Sequence, residues 1–145
     1  MPIIVDSNIL VDVSGADGDR TRQPTAVQAL RDYRDEGSLA VQVLAEFANV
    51  LIHKHRPVEA VRNDINILEK TWRIVALDAQ TVLLAVQGVE KHSLNFWDAM
   101  LWAAASQHGL PAILSEDGPT GSAIGKVLYL LPFLSPVSKI FVLTT

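Results

Sequence analysis

The 145-residue chain contains no cysteine, so disulfide bonds and thiolate metal sites are excluded. A reducing compartment suits such a composition, and we predict a cytoplasmic protein. No apolar stretch approaches the roughly 18 residues of a membrane span, and the N-terminal sequence lacks the features of a signal peptide. Basic residues are also few: 12 Lys and Arg stand against 16 Asp and Glu, a formal net charge of −4. This balance counts against nucleic-acid binding by charge alone.

Hydrophobic residues make up 49% of the chain, enough for a real core, and we predict a single domain over residues 1–145. Apolar strand-like runs alternate with helical segments, which indicates parallel βαβ units and an α/β sandwich with a central, mainly parallel sheet of four to five strands. The predicted strands are Ile3–Asp6, Leu39–Val41, Trp72–Ala76, Ala112–Ser115 and Val127–Leu131. The predicted helices are Thr25–Glu36 with Gly37 as its stop, Val43–His55, Pro57–Lys70, one capped by Asp78 that ends near His92, and one capped by Asn95 that ends at Gly109; Ser7–Val13 is a turn or short helix.

Four acidic residues lie where a globular domain has little use for charge. Asp6 ends an apolar run at the N terminus, and Glu46 is the only charge in the segment 39–52. Asp98 follows two aromatic residues at the head of an apolar helix, and Asp117 follows another apolar run. Desolvating a carboxylate costs several kcal/mol unless it is paired or binds a cation. A shared divalent metal ion therefore explains the four placements together.

The predicted layout brings these acids to one edge of the sheet. Ligands of open parallel sheets bind beyond the carboxyl ends of the strands, where Asp6 and Asp117 lie. Asp98 is followed on its helix by a core-facing stripe of Leu101, Trp102 and Ala105. Glu46 shares its helix face with the polar residues Gln42, Asn49 and His53, a stripe that faces either a cleft or solvent.

Each acid also has a structural interpretation. Asp6 is placed to cap the turn that follows it, Asp98 to take part in a capping box at its helix start, and Asp117 to form a turn. Glu46 could lie on a solvated helix face. Asp78 also follows a strand, but its surroundings are typical of a helix N-cap and we leave it outside the site.

Oxygen ligands of this kind suit Mg²⁺ and Mn²⁺. Such ions activate a water molecule and stabilise the charge that develops on a phosphodiester during hydrolysis. The acids therefore point to a metal-dependent nuclease, and this mechanism requires no histidine.

Four segments of the chain resemble motifs of the PIN-domain family. They occur in the same order as in the family and extend over essentially the whole chain. Asp6–Leu10 looks like the opening motif of the family, Val41–Phe47 like its second acidic motif, Asn95–Leu101 like its third, and Leu114–Asp117 with Gly121 and Pro132-Phe133 downstream like its closing block. The chain departs from the family pattern at Gly118-Pro119 and at Leu131. Length and layout resemble the VapC-type toxins of prokaryotic toxin–antitoxin pairs.

This resemblance implies a PIN-like α/β/α sandwich and a Mg²⁺- or Mn²⁺-dependent endoribonuclease acting on RNA, with tRNA among the possible substrates. It also implies a homodimer and a small antitoxin partner whose tail enters the active-site groove. By position, the metal-binding and catalytic carboxylates would be Asp6, Glu46, Asp98 and Asp117. Ser7, Asn8 and Ser115 would orient them through hydrogen bonds.

Substrate contacts and the dimer surface follow less directly from the sequence. Lys54 and Arg56, just past the helix that carries Glu46, and Arg20 and Arg22, in the loop after the first motif, are candidates for phosphate contacts or are solvated surface charges. Apolar helix positions such as Leu68, Leu83, Leu84 and Val86 belong either to a dimer face or to the core.

Three alternatives remain open at this stage. The chain could be a PIN nuclease of RNA processing instead of a toxin, or a PIN-like module that binds a partner without catalysis. A phosphoacceptor signalling domain would require adjacent acids early in the chain and a buried lysine after a late strand. Asp6 has no acidic neighbour, and the late lysines are Lys126 and Lys139.

Overall fold

The computed structural model describes residues 1–117 and 123–132, and the structural statements below concern these residues. They form six strands and six helices. The strands are β1 (Ile3–Val5), β2 (Gly37–Ala40), β3 (Arg73–Val75), β4 (Ala112–Leu114), β5 (Ala123–Ile124) and β6 (Val127–Leu130). The helices are α1 (Ser7–Ser14), α2 (Gln23–Asp32), α3 (Val41–His53), α4 (Val58–Thr71), α5 (Ala79–His92) and α6 (Phe96–Gln107). The predicted motif residues Gly118, Pro119, Gly121 and Phe133 and the late Lys139 lie outside the described range, and the extent of the domain to residue 145 stays a prediction.

The strands form one sheet in the order β3-β2-β1-β4-β6-β5. Its first five strands are parallel, and β5 pairs antiparallel with β6. The chain first moves outward from β1 through β2 to β3 and then returns past β1 to β4. Because parallel crossovers are right-handed, this reversal places α1–α4 on one face of the sheet and α5–α6 on the other. The predicted α/β/α sandwich is confirmed.

Two details of the sequence prediction were wrong. The sheet has six strands within the described residues, not four to five, because the two-residue strand β5 is too short to show a pattern. Gly37 is not the stop of the preceding helix, which ends at Asp32; it is the first residue of β2. A Cβ at Gly37 would meet the ring of Trp72 and lie 2.8 Å from the carbonyl oxygen of Tyr33. The glycine therefore serves close packing.

Helix α6 forms the centre of the core. Its seven consecutive residues 99–105 are all buried, because it packs across β1, β4 and β6 on one side and against α5 on the other. A Cβ at Gly88 of α5 would come within 2.9 Å of the Trp102 ring, so the glycine lets the two helices approach closely. Within the described residues, no helix is long and apolar enough to cross a membrane. Lys126 is exposed, unlike the buried lysine that a phosphoacceptor domain requires.

Candidate active site

The candidate site lies beyond the carboxyl ends of β1 and β4. The connections from these two neighbouring strands leave in opposite directions, and this switch point is where open α/β sheets bind ligands. The backbone nitrogen of Asp6 donates to the carbonyl oxygen of Leu114 at 2.9 Å, so Asp6 is held at the very end of the β1–β4 ladder. The hydroxyl of Ser115 donates to Asp6 Oδ2 at 2.8 Å. The ends of the two strands are thus joined by both backbone and side chain.

Asn8 extends this contact to the fourth predicted acid. Its Nδ2 lies 3.2 Å from both Ser115 Oγ and Asp117 Oδ2. The hydroxyl of Ser115 also accepts from the backbone nitrogen of Asp117 at 3.3 Å. The amide and hydroxyl side chains therefore link Asp6 and Asp117 through hydrogen bonds.

Glu46 faces the cleft, which the sequence left open. Ser7 Oγ lies 3.2 Å from Glu46 Oε2 and 3.4 Å from Asp6 Oδ1, so one hydroxyl lies between the two carboxylates. On the other side, Gln42 Nε2 donates to Glu46 Oε1 at 2.6 Å. Gln42 is buried although Asn49 and His53, on the same polar stripe, are exposed. The stripe thus passes from the cleft to solvent along α3.

Asp98 completes the group from the N terminus of α6. Asn95 is the N-cap: its Oδ1 accepts from the Asp98 backbone nitrogen at 2.9 Å, and its Nδ2 donates to Asp98 Oδ2 at 2.7 Å. The predicted stripe behind Asp98 is buried, as expected, and consists of Leu101, Trp102 and Ala105.

The acids interact electrostatically across the cleft. Burial raises the pKa of Asp6, the hydrogen bonds from Ser115 and Ser7 act in the opposite direction, and the charge of Asp98 raises it further. Burial also raises the pKa of Asp98, followed by the charges of Asp117 and Glu46. Asp98 therefore interacts electrostatically with each of the other three predicted acids.

The structural interpretations of Asp6 and Asp98 hold at the same time. Asp6 Oδ1 accepts from the Ser7 backbone nitrogen at 2.7 Å and caps α1. Asp98 occupies the third position of α6, within its first turn. The N-terminal ends of both helices carry partial positive charge that favours carboxylates. Capping and clustering are thus compatible.

A second pair of acids beside the site was missed by the sequence analysis. Asp12 of α1 is 3% exposed, and its Oδ2 has no hydrogen-bond partner in the described part of the chain. Burial and the adjacent carboxyl of Asp12 raise the pKa of Glu116 to about 7, against the effect of Arg22. Arg22 Nη1 lies 3.2 Å from Glu116 Oε2. The only sequence signal was one acid inside the apolar Val11-Asp12-Val13.

Tyr129 of β6 was also missed. It is 4% exposed, and its hydroxyl has no hydrogen-bond partner among the described residues. Burial raises its pKa, and the charges of Asp98 and Asp6 raise it further, which places the ring near the acids. Nothing in the sequence distinguishes this tyrosine from its apolar neighbours, because only the sheet order brings β6 beside β4.

The donor set suits a hard divalent cation. Within residues 1–117 and 123–132, the hydrogen bonds that the four carboxylates accept come from Ser, Asn and Gln side chains and from backbone, and neither of the ion pairs involves them. As their side chains stand, no three acidic or histidine residues in this part of the chain are arranged to hold an ion. The negative charge is thus left without a cationic side chain, and carboxylate oxygens are the ligands that Mg²⁺ and Mn²⁺ prefer.

Of the basic residues that were predicted to contact substrate, the structure brings Arg22 to the acids. Arg22 lines a cleft of about 310 Å³ together with Thr21, Thr25, Glu116 and Asp117. Arg56 instead donates from Nη2 to the carbonyl oxygen of Ser14 at 2.7 Å and lines an apolar groove. Arg20 and Lys54 are exposed.

Comparison with known proteins finds one matching family model and several solved structures of similar fold. The family model for the PIN domain matches residues 3–118. No curated protein sequence matches the chain. Solved structures share the fold: a toxin–antitoxin complex from Klebsiella pneumoniae has 21% identity and a TM-score of 0.66 and covers 87% of this chain and 95% of that one. VapC20 of Mycobacterium tuberculosis, a toxin that cleaves the sarcin–ricin loop, has 22% identity and a TM-score of 0.67 over 81% and 91%. FitAcB from Neisseria gonorrhoeae has 18% identity and a TM-score of 0.65 over 92% and 99%.

Proposed function

Because the chain belongs to the PIN-domain family, we propose that it is a Mg²⁺- or Mn²⁺-dependent endoribonuclease that hydrolyses RNA phosphodiester bonds. The observation that carries this proposal is the meeting of four carboxylates at the β1–β4 crevice, none of them bonded to a lysine or arginine of the described chain. A divalent cation held there would activate water and offset the charge that develops on the phosphodiester.

The side chains divide into two roles under this proposal. The metal-binding and catalytic groups are Asp6, Glu46, Asp98 and Asp117. The groups that orient them are Ser7, Asn8 and Ser115, whose side chains donate hydrogen bonds to Glu46, Asp117 and Asp6 respectively. The raised pKa values of Asp6 and Asp98 support the metal-binding role, because a bound cation would offset the desolvation and the like-charge repulsion that raise them.

Cleavage of labelled tRNA and single-stranded RNA in Mn²⁺, Mg²⁺ or EDTA tests the proposal. Asp6→Asn and Glu46→Gln keep the size of the side chain and remove its charge, so both variants should lose metal-dependent cleavage. Asp35→Asn is the matched control. Asp35 is exposed and lies just before β2, at the amino ends of the parallel strands, whereas the site lies at their carboxyl ends.

Each outcome decides between hypotheses. Cleavage that needs metal and is lost in Asp6→Asn and Glu46→Gln, but kept in Asp35→Asn, would support the carboxylate site. Equal cleavage by all variants would trace the activity to a contaminant. Metal binding by calorimetry without cleavage of any RNA would favour a PIN-like module that binds a partner.

We further propose that the enzyme is the toxin of a toxin–antitoxin pair. The support is its fold, which it shares with a toxin–antitoxin complex and with FitAcB. Induced expression should arrest growth of a bacterial host, and Asp6→Asn should not. RNA cleavage in vitro without growth arrest would favour the alternative, a nuclease of RNA processing.

A homodimer through α5 is proposed on the exposure of its apolar residues. Leu83 and Val86 are 57% and 51% exposed, whereas Leu84 and Leu68 are half-buried against the core. Light scattering should give twice the mass of one chain, and Leu83→Glu should give one chain. A monomeric wild type would remove this proposal without affecting the nuclease.

Arg22 is the proposed phosphate contact, since it lies in the cleft beside Asp117. Arg22→Gln should weaken RNA binding similarly for all sequences and reduce the salt slope of log affinity by about 1. Arg62→Gln, an exposed arginine of α4 outside that cleft, is the control. An unchanged slope in Arg22→Gln would leave Arg20 and Lys54, both exposed, as the candidates to test next, with Arg56 after them.

A further inference from the structure

Two exposed aromatic residues stand at the start of α6, directly before Asp98. Trp97 is 61% exposed and Phe96 is 38% exposed, and they are the only aromatic residues among the exposed large hydrophobics of the described chain. Their ring centroids lie 5.2 Å apart with the planes at 68°, an edge-to-face arrangement. Phe96 therefore supports the indole from one side while much of Trp97 faces solvent. Contiguous exposed apolar surface is typical of interaction sites.

The backbone that carries the indole is fixed to the candidate active site. Gln42 Nε2 donates to the carbonyl oxygen of Trp97 at 3.1 Å, and the same nitrogen donates to Glu46 Oε1 at 2.6 Å. On the other side, the Asn95 cap holds the backbone of Asp98. One amide group thus ties Trp97 to a carboxylate of the site, and stacking on the indole would require little ordering of the chain.

The charge of the molecule is unfavourable for binding RNA, and an uncharged contact would add affinity that does not depend on charge. The formal net charge is −4, and the carboxylates of the site repel phosphates. Arg22, the proposed phosphate contact, also pairs with Glu116, which offsets part of its charge. Stacking of nucleobases on aromatic side chains does not depend on charge, and proteins use it to hold unpaired bases.

We propose that the indole of Trp97 is a stacking platform for one unpaired nucleobase of the RNA, next to the phosphate that lies at the carboxylates. This inference rests on the proposed ribonuclease function and names its substrate class as single-stranded or looped RNA. The platform is tolerant of sequence, because every base presents a π-face. A base in a continuous duplex is stacked on its neighbours and cannot occupy it.

The test compares Trp97→Ala and Trp97→Phe with wild type on a short single-stranded RNA. Trp97→Ala should raise KM about 10- to 100-fold and leave kcat unchanged, whereas Trp97→Phe should keep most of the affinity. Ile67→Ala is the matched control, since Ile67 of α4 is also 61% exposed. Binding of RNA should quench tryptophan fluorescence in wild type but not in Trp97→Phe, where Trp72 and Trp102 remain.

A substrate series locates the stacked base. An abasic nucleotide moved along the RNA should raise the wild-type KM at one position, and there Trp97→Ala should lose nothing further. An unchanged KM in Trp97→Ala, with active wild type, would overturn the platform and leave the nuclease intact. A fall in kcat alone would make Trp97 a support for Asp98, and a change from dimer to monomer would make it a subunit contact; either result overturns the platform. A wild type that neither binds nor cuts RNA would instead overturn the ribonuclease.

Discussion

Helices α5 and α6 pack against each other, and each has an aspartate at its N-terminal end, yet the two aspartates have opposite environments. Asp78, the N-cap of α5, accepts hydrogen bonds from Gln107 Nε2, from the Thr81 backbone nitrogen and from the Thr81 hydroxyl, all at 3.0–3.1 Å. These bonds, that from Gln107 first, hold the pKa of Asp78 below its ordinary value. Asp98, in the first turn of α6, has its pKa raised by burial and by Asp117 and Glu46.

The comparison shows that a local motif does not determine what a carboxylate does. A helix N terminus stabilises negative charge at both positions. At Asp78 the remaining partners are neutral donors that complete the cap, and the charge is satisfied within the fold. At Asp98 the Asn95 amide also donates, but the charged groups that act on it are Asp117 and Glu46, so the folded chain holds a charge that it does not itself neutralise. Such unsatisfied charge is typical of functional sites.

The largest expected difference between the two aspartates is in cleavage of RNA. Asp98→Asn removes a proposed metal ligand, and the rate should fall by more than the roughly 10- to 100-fold that loss of an orienting group costs. Asp78→Asn keeps a good N-cap and should leave the rate unchanged. Single-turnover cleavage in Mn²⁺ measures both. A comparable loss in the two variants would mean that helix capping, not the position of the carboxylate, controls the activity.

Asn95 allows the cap and the orientation of Asp98 to be separated. Asn95→Asp keeps an oxygen to cap α6 but replaces the Nδ2 donor at 2.7 Å from Asp98 by a second carboxylate. The cleavage rate should fall about 10- to 100-fold while the melting temperature changes little. Asn95→Ser, which caps without adding charge, should retain more activity than Asn95→Asp. Cleavage at the wild-type rate by both substitutions, which both lack the Nδ2 donor, would show that this contact does not orient Asp98.

The sequence predicted the parts of this site that follow from strand ends and helix starts. Asp6 and Ser115 lie where parallel strands end, and Asp98 follows a helix cap, so the predicted fold class was enough to predict that they lie close together. The direction of Glu46 could not be predicted, because it depends on the buried Gln42, whose Nε2 donates both to Glu46 and to the carbonyl oxygen of Trp97.

Other features depended on contacts far apart in sequence. The order of β1, β4 and β6 brings Asp12 close to Glu116 and brings Tyr129 close to Asp6 and Asp98. Gly37 was misassigned because a glycine required by the nearby ring of Trp72 looks the same in sequence as a helix stop.

The stability of α5 gives a smaller effect. Asp78→Ala removes the acceptor of the capping box, and the melting temperature at neutral pH should fall by about 2–4 °C. The lowered pKa means that the ionised carboxylate stabilises the folded state above its ordinary value of 3.8 and that this contribution is lost as the pH falls through the folded value. Melting curves across this range should therefore show the cost of Asp78→Ala shrinking in acid. A cost independent of pH would mean that the cap works as well protonated.

The smallest expected effect has the opposite sign and concerns the protein in EDTA. Because the pKa of Asp98 is raised above 3.8, the folded state loses stability as the pH rises through the interval between the unfolded and the folded values. Asp98→Asn does not have this loss, so its melting temperature should exceed that of wild type at neutral pH and equal it below pH 3.8. We expect a difference of only about 1–2 °C at neutral pH, because solvent screens the charge of a half-exposed side chain. Added Mn²⁺ should reverse the order at neutral pH, since a ligand that binds only the folded wild type raises its stability. If Asp98→Asn melts below wild type in EDTA at neutral pH, Asp98 is a structural acid like Asp78, and the contrast between the two helix starts disappears.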